Sequence, residues 1–348
     1  MKRMKVLLMF MAVTLLLAAC SDGGTDETSS SSSSSDNGGD DVIDIVWYPN
    51  ESGSELKDAR DEIGRVIEEE TGKTVEHHLT TDYAIAIETI ANGNAELAFM
   101  GAQGYIEANA KNDAVQPLVV PTGPSGTLDD AIYHSWLAVN VDDQDNYKVD
   151  GEFSLDTIEG TTFSFVSNSS TSGFVVPSST IIDYFSDQEL TEEDLMEGGP
   201  FFEQVLFGGS HQGSAVNLLN GSAEVAAFCD TCVENYVEIA EGEENTVGAV
   251  YRVKDGAEEP FNTVAGKEFI LMSVTPVLNA PFVANTEVLS EEEFNTIQEL
   301  FASDEIANNE KIFVPEDSDA PALFTKSEEE RFVPVEDEWF NPIRELSN

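Results

Sequence analysis

The segment SNSSTSGFVVP, residues 167–177, places four serines, a threonine and a glycine ahead of an apolar run. A helix start carries unpaired backbone N–H groups and the positive end of the helix dipole. Ser170, Thr171 and Ser172 would add hydroxyl donors there, and Gly173 would let backbone approach closely. Such a combination binds a tetrahedral oxyanion without a basic side chain. A plain helix cap with a polar loop uses the same residues, and composition leaves the two readings level. His211, in GGSHQGSAVNLLNG, opens a second turn of this kind. It is placed either to donate to the same anion or to be a solvent-facing cap residue. Asp230 ends the run VAAFCD. Beside an anion its carboxylate demands a ligand with a proton to share; otherwise it is a surface Asp among 67 acidic residues.

Tyr83 follows TTD, Tyr105 follows MGAQG, and Tyr133 begins YHSWLAVN. Tyrosines at such turns either pack or close a cleft with a hydroxyl donor. Other chemistries find less support. Ser172 and His211 could serve a hydrolase, yet no G-x-S-x-G elbow occurs. TGKT at 71–74 has the end of a P-loop, but Ile67 stands where its first glycine belongs. Of four histidines only His77 and His78 are adjacent, and on a strand they point to opposite faces. No metal site and no cofactor is expected. Cys229 and Cys232 form CDTC. In a secreted chain an even pair reads as a disulfide; a redox pair is the alternative, without other redox-fold signal.

The elements that would position these residues alternate. DVIDIVWYP reads as a strand, SGSELKDARDEIGRVIEEETG as an amphipathic helix with Ser54 as a possible cap and Gly72 as its stop, and KTVEHHLTT as a strand. DYAIAIETIANGN reads as a helix ended by Gly93, and AELAFMG as a third strand. A second series follows YHSWLAVN: strand TTFSFVS, helix TSGFVVPSSTIIDYF, strand EQVLFGGS, helix HQGSAVNLLNG, strand AEVAAFCDT. KEFILMSVTPVL looks like a return strand, and Ser290 with Glu293 forms a capping box. The pattern predicts an α/β protein of two lobes, each a mainly parallel sheet flanked by helices, with ligand in the cleft between them. The expected boundaries are 42–137 for the first part of lobe 1, 138–265 for lobe 2, and 266–348 for the completion of lobe 1. The chain is expected to cross near 138–142 and return near 264–272.

Ahead of these lobes, Lys2, Arg3 and Lys5 precede a 14-residue apolar run that ends in LAAC. This reads as a lipoprotein leader of residues 1–20, with Cys20 lipidated and the protein anchored outside the cytoplasm. Residues 21–41 contain no apolar residue and read as a disordered tether. The net charge of −51 argues against nucleic acid as a partner. It suggests adaptation to high salt, where screening shortens self-repulsion.

The phrases TTDYAIAIETIANGNAELAFMG, YHSWLAV, SLDTIEGTTFSFVSNSSTSGFVVP and GGSHQGSAVNLLNGSAEVAAF together resemble the phosphate/phosphite/phosphonate-binding proteins of ABC importers. The resemblance spans most of residues 42–310. It implies a type II periplasmic-binding-protein fold, a non-enzymatic role in capturing a phosphorus oxyanion, and delivery to a membrane permease, with a monomer as the working form. Presentation of the ligand to a membrane sensor, or binding of another small oxyanion, uses the same fold. By resemblance, Ser170, Thr171, Ser172 and His211 hold the phosphorus-bound oxygens, and Tyr83 and Tyr133 contact the ligand from the facing lobe. Gly173 and Asp230 are further candidates, and Tyr48, Gln103 and Tyr105 stand behind them. GAQG replaces the family's frequent Gly-Pro, and TPVLNAP has Ala280 where some members carry Asp. A ligand amine would lack that partner, which favours a small ligand such as phosphate, phosphite or methylphosphonate.

Overall fold

The computed structural model describes residues 41–346. The leader, Cys20 and the tether up to residue 40 lie outside them. Strand β1 (Val42–Trp47) sends Ile43, Ile45 and Trp47 into one core and Val46 into another on the opposite face, as a period of two requires. Helix α1 (Lys57–Thr71) lays Ile63, Val66 and Ile67 on the first of these cores. It ends at Gly72, whose φ of 72° is the left-handed conformation that closes a helix. Ser54 does not cap it with its side chain: the N-cap is Leu56, and Ser54 contributes only its carbonyl, which accepts from Lys57 N.

Strand β2 (Thr74–Leu79), helix α2 (Tyr83–Ala91), strand β3 (Leu97–Phe99), helix α3 (Ala102–Lys111) and strand β4 (Val115–Pro121) follow. Asp82 caps α2 by accepting from Ala84 N at 2.8 Å. The second series comprises β5 (Ile132–Asn140), β6 (Thr162–Phe165), α4 (Val176–Tyr184), β7 (Gln204–Phe207), α5 (His211–Leu219), β8 (Val225–Cys229), β9 (Val237–Glu241), β10 (Val250–Val253) and β11 (Glu268–Leu278). Then β12 (Phe282–Asn285), α6 (Glu291–Phe301) and β13 (Phe332–Pro334) complete the first sheet. Ser290 and Glu293 make the expected capping box on α6.

Two main sheets result. The first runs β13-β4-β12-β3-β1-β2 and the second β9-β10-β11-β5-β8-β6-β7. Both are mixed. β1 is parallel to β2 and β3, and β6 is parallel to β7 and β8, which is the part the βαβ rhythm predicts. The antiparallel members of the second sheet include β5 and β11, which pair along their length from Phe269–Asn140 to Leu278–Ile132. Because both lie wholly in the second sheet, the chain changes sheets at 122–131 and again at 279–281. The first passage is earlier, and the second later, than the apolar runs suggest. A strand committed to a ladder along its length cannot be shared between sheets, so the passage falls in the turn-rich TGPSGTLDDA. Aromatic rings fill both lobes. Phe282 touches Trp47, Phe99, Phe301 and Phe332 in the first, and Trp136 touches Phe228, Tyr251 and Phe269 in the second.

Candidate ligand-binding site

A cavity of about 240 Å³ lies at the strand ends between the two sheets. Its polar wall brings together Tyr48, Tyr83, Tyr133, Ser170, Thr171, Ser172 and His211. Local chemistry explains each placement. Ser170 is the N-cap of a π turn at Thr171–Val175 that runs directly into α4. Its Oγ accepts from Gly173 N at 3.1 Å, while its carbonyl accepts from both Phe174 N and Val175 N. The wide turn carries the row of hydroxyls into the cavity wall, a common use of π turns at functional sites. Ser135 Oγ donates to the Ser172 carbonyl at 2.7 Å and fixes the turn against β5. Gly173 is required by packing rather than by ligand approach: a Cβ there would meet Val166 at 2.3 Å.

His211 begins α5 behind the N-cap Ser210. It is buried, and burial pushes its imidazole down to about 3. Its Nδ1 accepts from Cys229 N at 3.0 Å. A neutral ring with an occupied Nδ1 lone pair carries its proton on Nε2, and Nε2 lies 3.3 Å from Ser170 Oγ. This separates a binder from a hydrolase. A serine's base needs a free lone pair on the facing nitrogen and a carboxylate behind the ring; His211 offers a proton and has a backbone amide behind it. Cys229 and Cys232 are joined by a disulfide.

The first lobe answers with Tyr48, Asn50 and Tyr83. Asn50 follows β1 and links three elements: Nδ2 donates to Tyr83 Oη at 2.7 Å, Oδ1 accepts from His211 N at 3.0 Å, and the carbonyl accepts from Gln212 Nε2 at 3.1 Å. Tyr83 and Tyr48 stack obliquely with centroids 4.2 Å apart. Burial pushes the phenols of Tyr48, Tyr83 and Tyr133 up, so all three remain donors. Ser172 and Thr171 beside Tyr133, and Asn50 and Ser170 beside Tyr83, partly oppose that push. Tyr133 is not on the facing lobe as expected, because pairing with β11 holds β5 wholly in the second sheet.

Other expected contacts lie elsewhere. Asp230 is not in the cavity wall. The antiparallel register pairs Cys229 with Ser135, which sets Asp230 opposite His134. There its Oδ1 accepts from His134 N at 2.9 Å and its Oδ2 bonds Nδ1 at 2.8 Å. Tyr105 turns away to Asp337 and packs on Phe340. Gln103 reaches the site through its backbone alone, donating N–H to Thr171 Oγ1 at 2.9 Å, while its side chain goes to Glu107. His77 accepts from Trp47 Nε1, and His78 pairs with Asp44 on the other face.

Sequence reading missed Asn50, Glu51, Gln212 and Glu234, all of which line the cavity. The polar phrase PNES directly after an apolar strand was the available signal, since strand C-terminal ends carry sites in α/β folds. No lysine or arginine is among the described lining residues. Arg60 is spent on the backbone of the PNES loop, where Nη1 donates to the carbonyls of Glu51 and Gly53. The rest of the lining is mixed, with Leu56, Phe99, Ile132, Leu323 and Phe324 beside Asn235, Asn279, Thr325 and Glu330. Glu234, pushed up to about 7 by burial, accepts there from Thr325 Oγ1 at 2.8 Å. A cavity with hydroxyl, imidazole and amide donors on one side and no fixed cation suits reversible capture of an anion.

Known proteins resemble this chain in sequence and in fold. The phosphate-import protein PhnD of Mycolicibacterium smegmatis is 29% identical over 194 residues, which is 56% of this chain and 57% of that protein. The match thus spans little more than half the relative's length. A binding protein component of an ABC phosphonate transporter from Pseudomonas aeruginosa superposes with a TM-score of 0.64 at 20% identity, covering 88% of this chain and 85% of that one. PhnD1 from Prochlorococcus marinus, solved in complex with methylphosphonate, gives 0.61 at 15% identity over 88% and 97%. The family described as "ABC transporter, phosphonate, periplasmic substrate-binding protein" matches residues 45–340. With that match across the greater part of its length, the chain belongs to the phosphonate-binding family of periplasmic substrate-binding proteins of ABC transporters.

Proposed function

We propose that this protein captures a small phosphorus oxyanion (a phosphonate, phosphite or phosphate) outside the cytoplasm and delivers it to an ABC permease. The observation that carries the reading is the cation-free donor wall, in which Ser170, Thr171, Ser172, His211, Tyr83 and Tyr133 converge from both lobes. Hydrogen bonds to a charged ligand are the strong kind, and a wall without Lys or Arg keeps binding reversible. The cavity of about 240 Å³ is several times the roughly 30 Å³ that one water takes in the liquid. It admits a tetrahedral oxyanion with a small substituent. Release follows hinge opening about the passages at 122–131 and 279–281.

Among the described residues no helix is long and apolar enough to cross a membrane. Attachment through lipid on Cys20, with the serine-rich segment as tether and a monomer as the working form, completes the proposal. Mass spectrometry of the N-terminal peptide would show the lipid, and an unmodified Cys20 would refute that part. The decisive experiment is calorimetry in molar salt with phosphate, phosphite, methylphosphonate, 2-aminoethylphosphonate and sulfate. Binding of at least one phosphorus ligand and exclusion of sulfate is the expected result. Failure of every phosphorus ligand would remove the transport reading.

A further inference from the structure

Two polar atoms on the first-lobe wall of the cavity have no hydrogen-bond partner although both are buried: Tyr48 Oη and Glu51 Oε2. They belong to one loop, WYPNES, and both residues line the cavity. Buried polar groups are paired in all but a few cases, so an orphan calls for an explanation. Here the two orphans lie in the wall that faces the hydroxyl turn.

The groups around Glu51 decide what its carboxyl can be. From its own loop come Tyr48 and the Asn50 side chain, from α2 Tyr83, and from β5 Tyr133. All are neutral. From α1 comes Arg60, whose Nη1 is engaged with the carbonyls of Glu51 and Gly53. From α5 comes His211, also neutral. Arg60 favours the carboxylate but is not a lining residue, so a carboxylate here would face an incoming anion with no lining cation between them. A carboxylic acid would supply one more O–H donor beside Tyr48.

Resting on the oxyanion reading above, we propose that Glu51 is a specificity-determining residue that works as a neutral carboxylic acid, donating its proton as a hydrogen bond to an unprotonated oxygen of the ligand. The preferred ligand is then a phosphorus dianion without an ammonium group at this wall. Burial, the largest influence on this carboxyl, pushes it up to about 8, so it holds its proton in the neutral range. The sign follows. Below that value the free protein is ready to bind, and above it each pH unit removes about tenfold of the binding-competent form.

Calorimetry tests this with wild type and Glu51→Gln, using methylphosphonate and 2-aminoethylphosphonate between about pH 7 and 9.5. Glutamine keeps a donor and cannot ionise, so the ratio of the two proteins cancels the ligand's own titration. At about pH 7 the variant should bind methylphosphonate within about threefold of wild type. From about pH 7 to 9 wild type should weaken about tenfold relative to the variant, most of it above about pH 8. Identical pH profiles would overturn the proposal while leaving the oxyanion reading intact. So would a variant that loses 2-aminoethylphosphonate alone, because that assigns Glu51 as an ionised partner of the amine. Wild type that binds no phosphorus ligand at about pH 7 would overturn both. A second measurement covers a variant that fails to fold. Calorimetry of wild type with methylphosphonate at about pH 9, in two buffers of different ionisation enthalpy, should show uptake of close to one proton per ligand, and zero uptake would refute the proposal.

Discussion

His211 illustrates how one backbone bond selects a side chain's role. With Nδ1 held by the Cys229 amide and the ring buried, it offers only a proton at Nε2. Its folded value of about 3 lies below the usual 6.5 of the unfolded chain. The native state therefore binds fewer protons, and this contribution to stability is complete above about pH 6.5 and lost as pH falls towards 3. Nitrogen NMR should show His211 as the Nε2–H tautomer, unchanged between about pH 5 and 8; an ordinary titration near 6.5 would contradict the assignment. His211→Ala and Ser172→Ala should each weaken oxyanion binding by about 1–3 kcal/mol, the cost of leaving a charged ligand oxygen unpaired, as calorimetry would measure. Unchanged affinity in both would move the site. Residues that sit at helix starts, such as Ser170 and His211, were legible in the sequence because helix starts have local signatures. Asn50 was not, since its value lies in partners 33 and 161 positions away. Asp230 misled for the same reason: strand register, invisible in one sequence, hands it to His134.

Strands and helices were the most legible level. Alternation in β1, the stop at Gly72 and the capping box at Ser290 are local and survived folding unchanged. The π turn was not legible, because it differs from an α turn only in which carbonyl the Phe174 and Val175 amides share. Helix α3 carries a constraint that the sequence showed only as the word GAQG. A Cβ on Gly104 would lie 1.6 Å from Tyr48 Oη, so this helix can approach β1's loop only with a bare backbone. Gly104→Ala should cost about 1–3 kcal/mol in urea unfolding, the usual range for overpacking, and should weaken ligand binding. Adding Tyr48→Phe removes the colliding oxygen and should restore part of the stability. An additive double mutant would show that the helix relieves the clash some other way. The same helix also reaches across the cleft, with Glu107 accepting from Ser169 Oγ at 2.9 Å.

The whole molecule carries 67 acidic against 16 basic residues, and among the described residues the exposed ion pairs, such as Lys57–Asp61 and Arg252–Glu238, engage few of the acids. Self-repulsion on this scale weakens as the Debye length shrinks from about 10 Å at 0.1 M to about 3 Å at 1 M. The melting temperature should therefore rise from low to molar salt; a flat or falling curve would reject adaptation to brine. Two lobes were legible from the doubled rhythm of elements, but the passage between them was not, because apolar runs mark strands without saying which sheet receives them. The outcome has a consequence for how such a protein can change. Ile132 and Leu278 are partners at the end of the β5–β11 ladder, and antiparallel partners sit only about 5 Å apart. Everything from one to the other leaves its host and re-enters it at a single point. The inner lobe is in effect a cassette, spliced into the outer one through adjacent ends. Exchanging that cassette would bring in a new hydroxyl cradle and imidazole in one step. The outer wall of Tyr48, Asn50, Glu51 and Tyr83 would stay in place to meet whatever anion the newcomer holds.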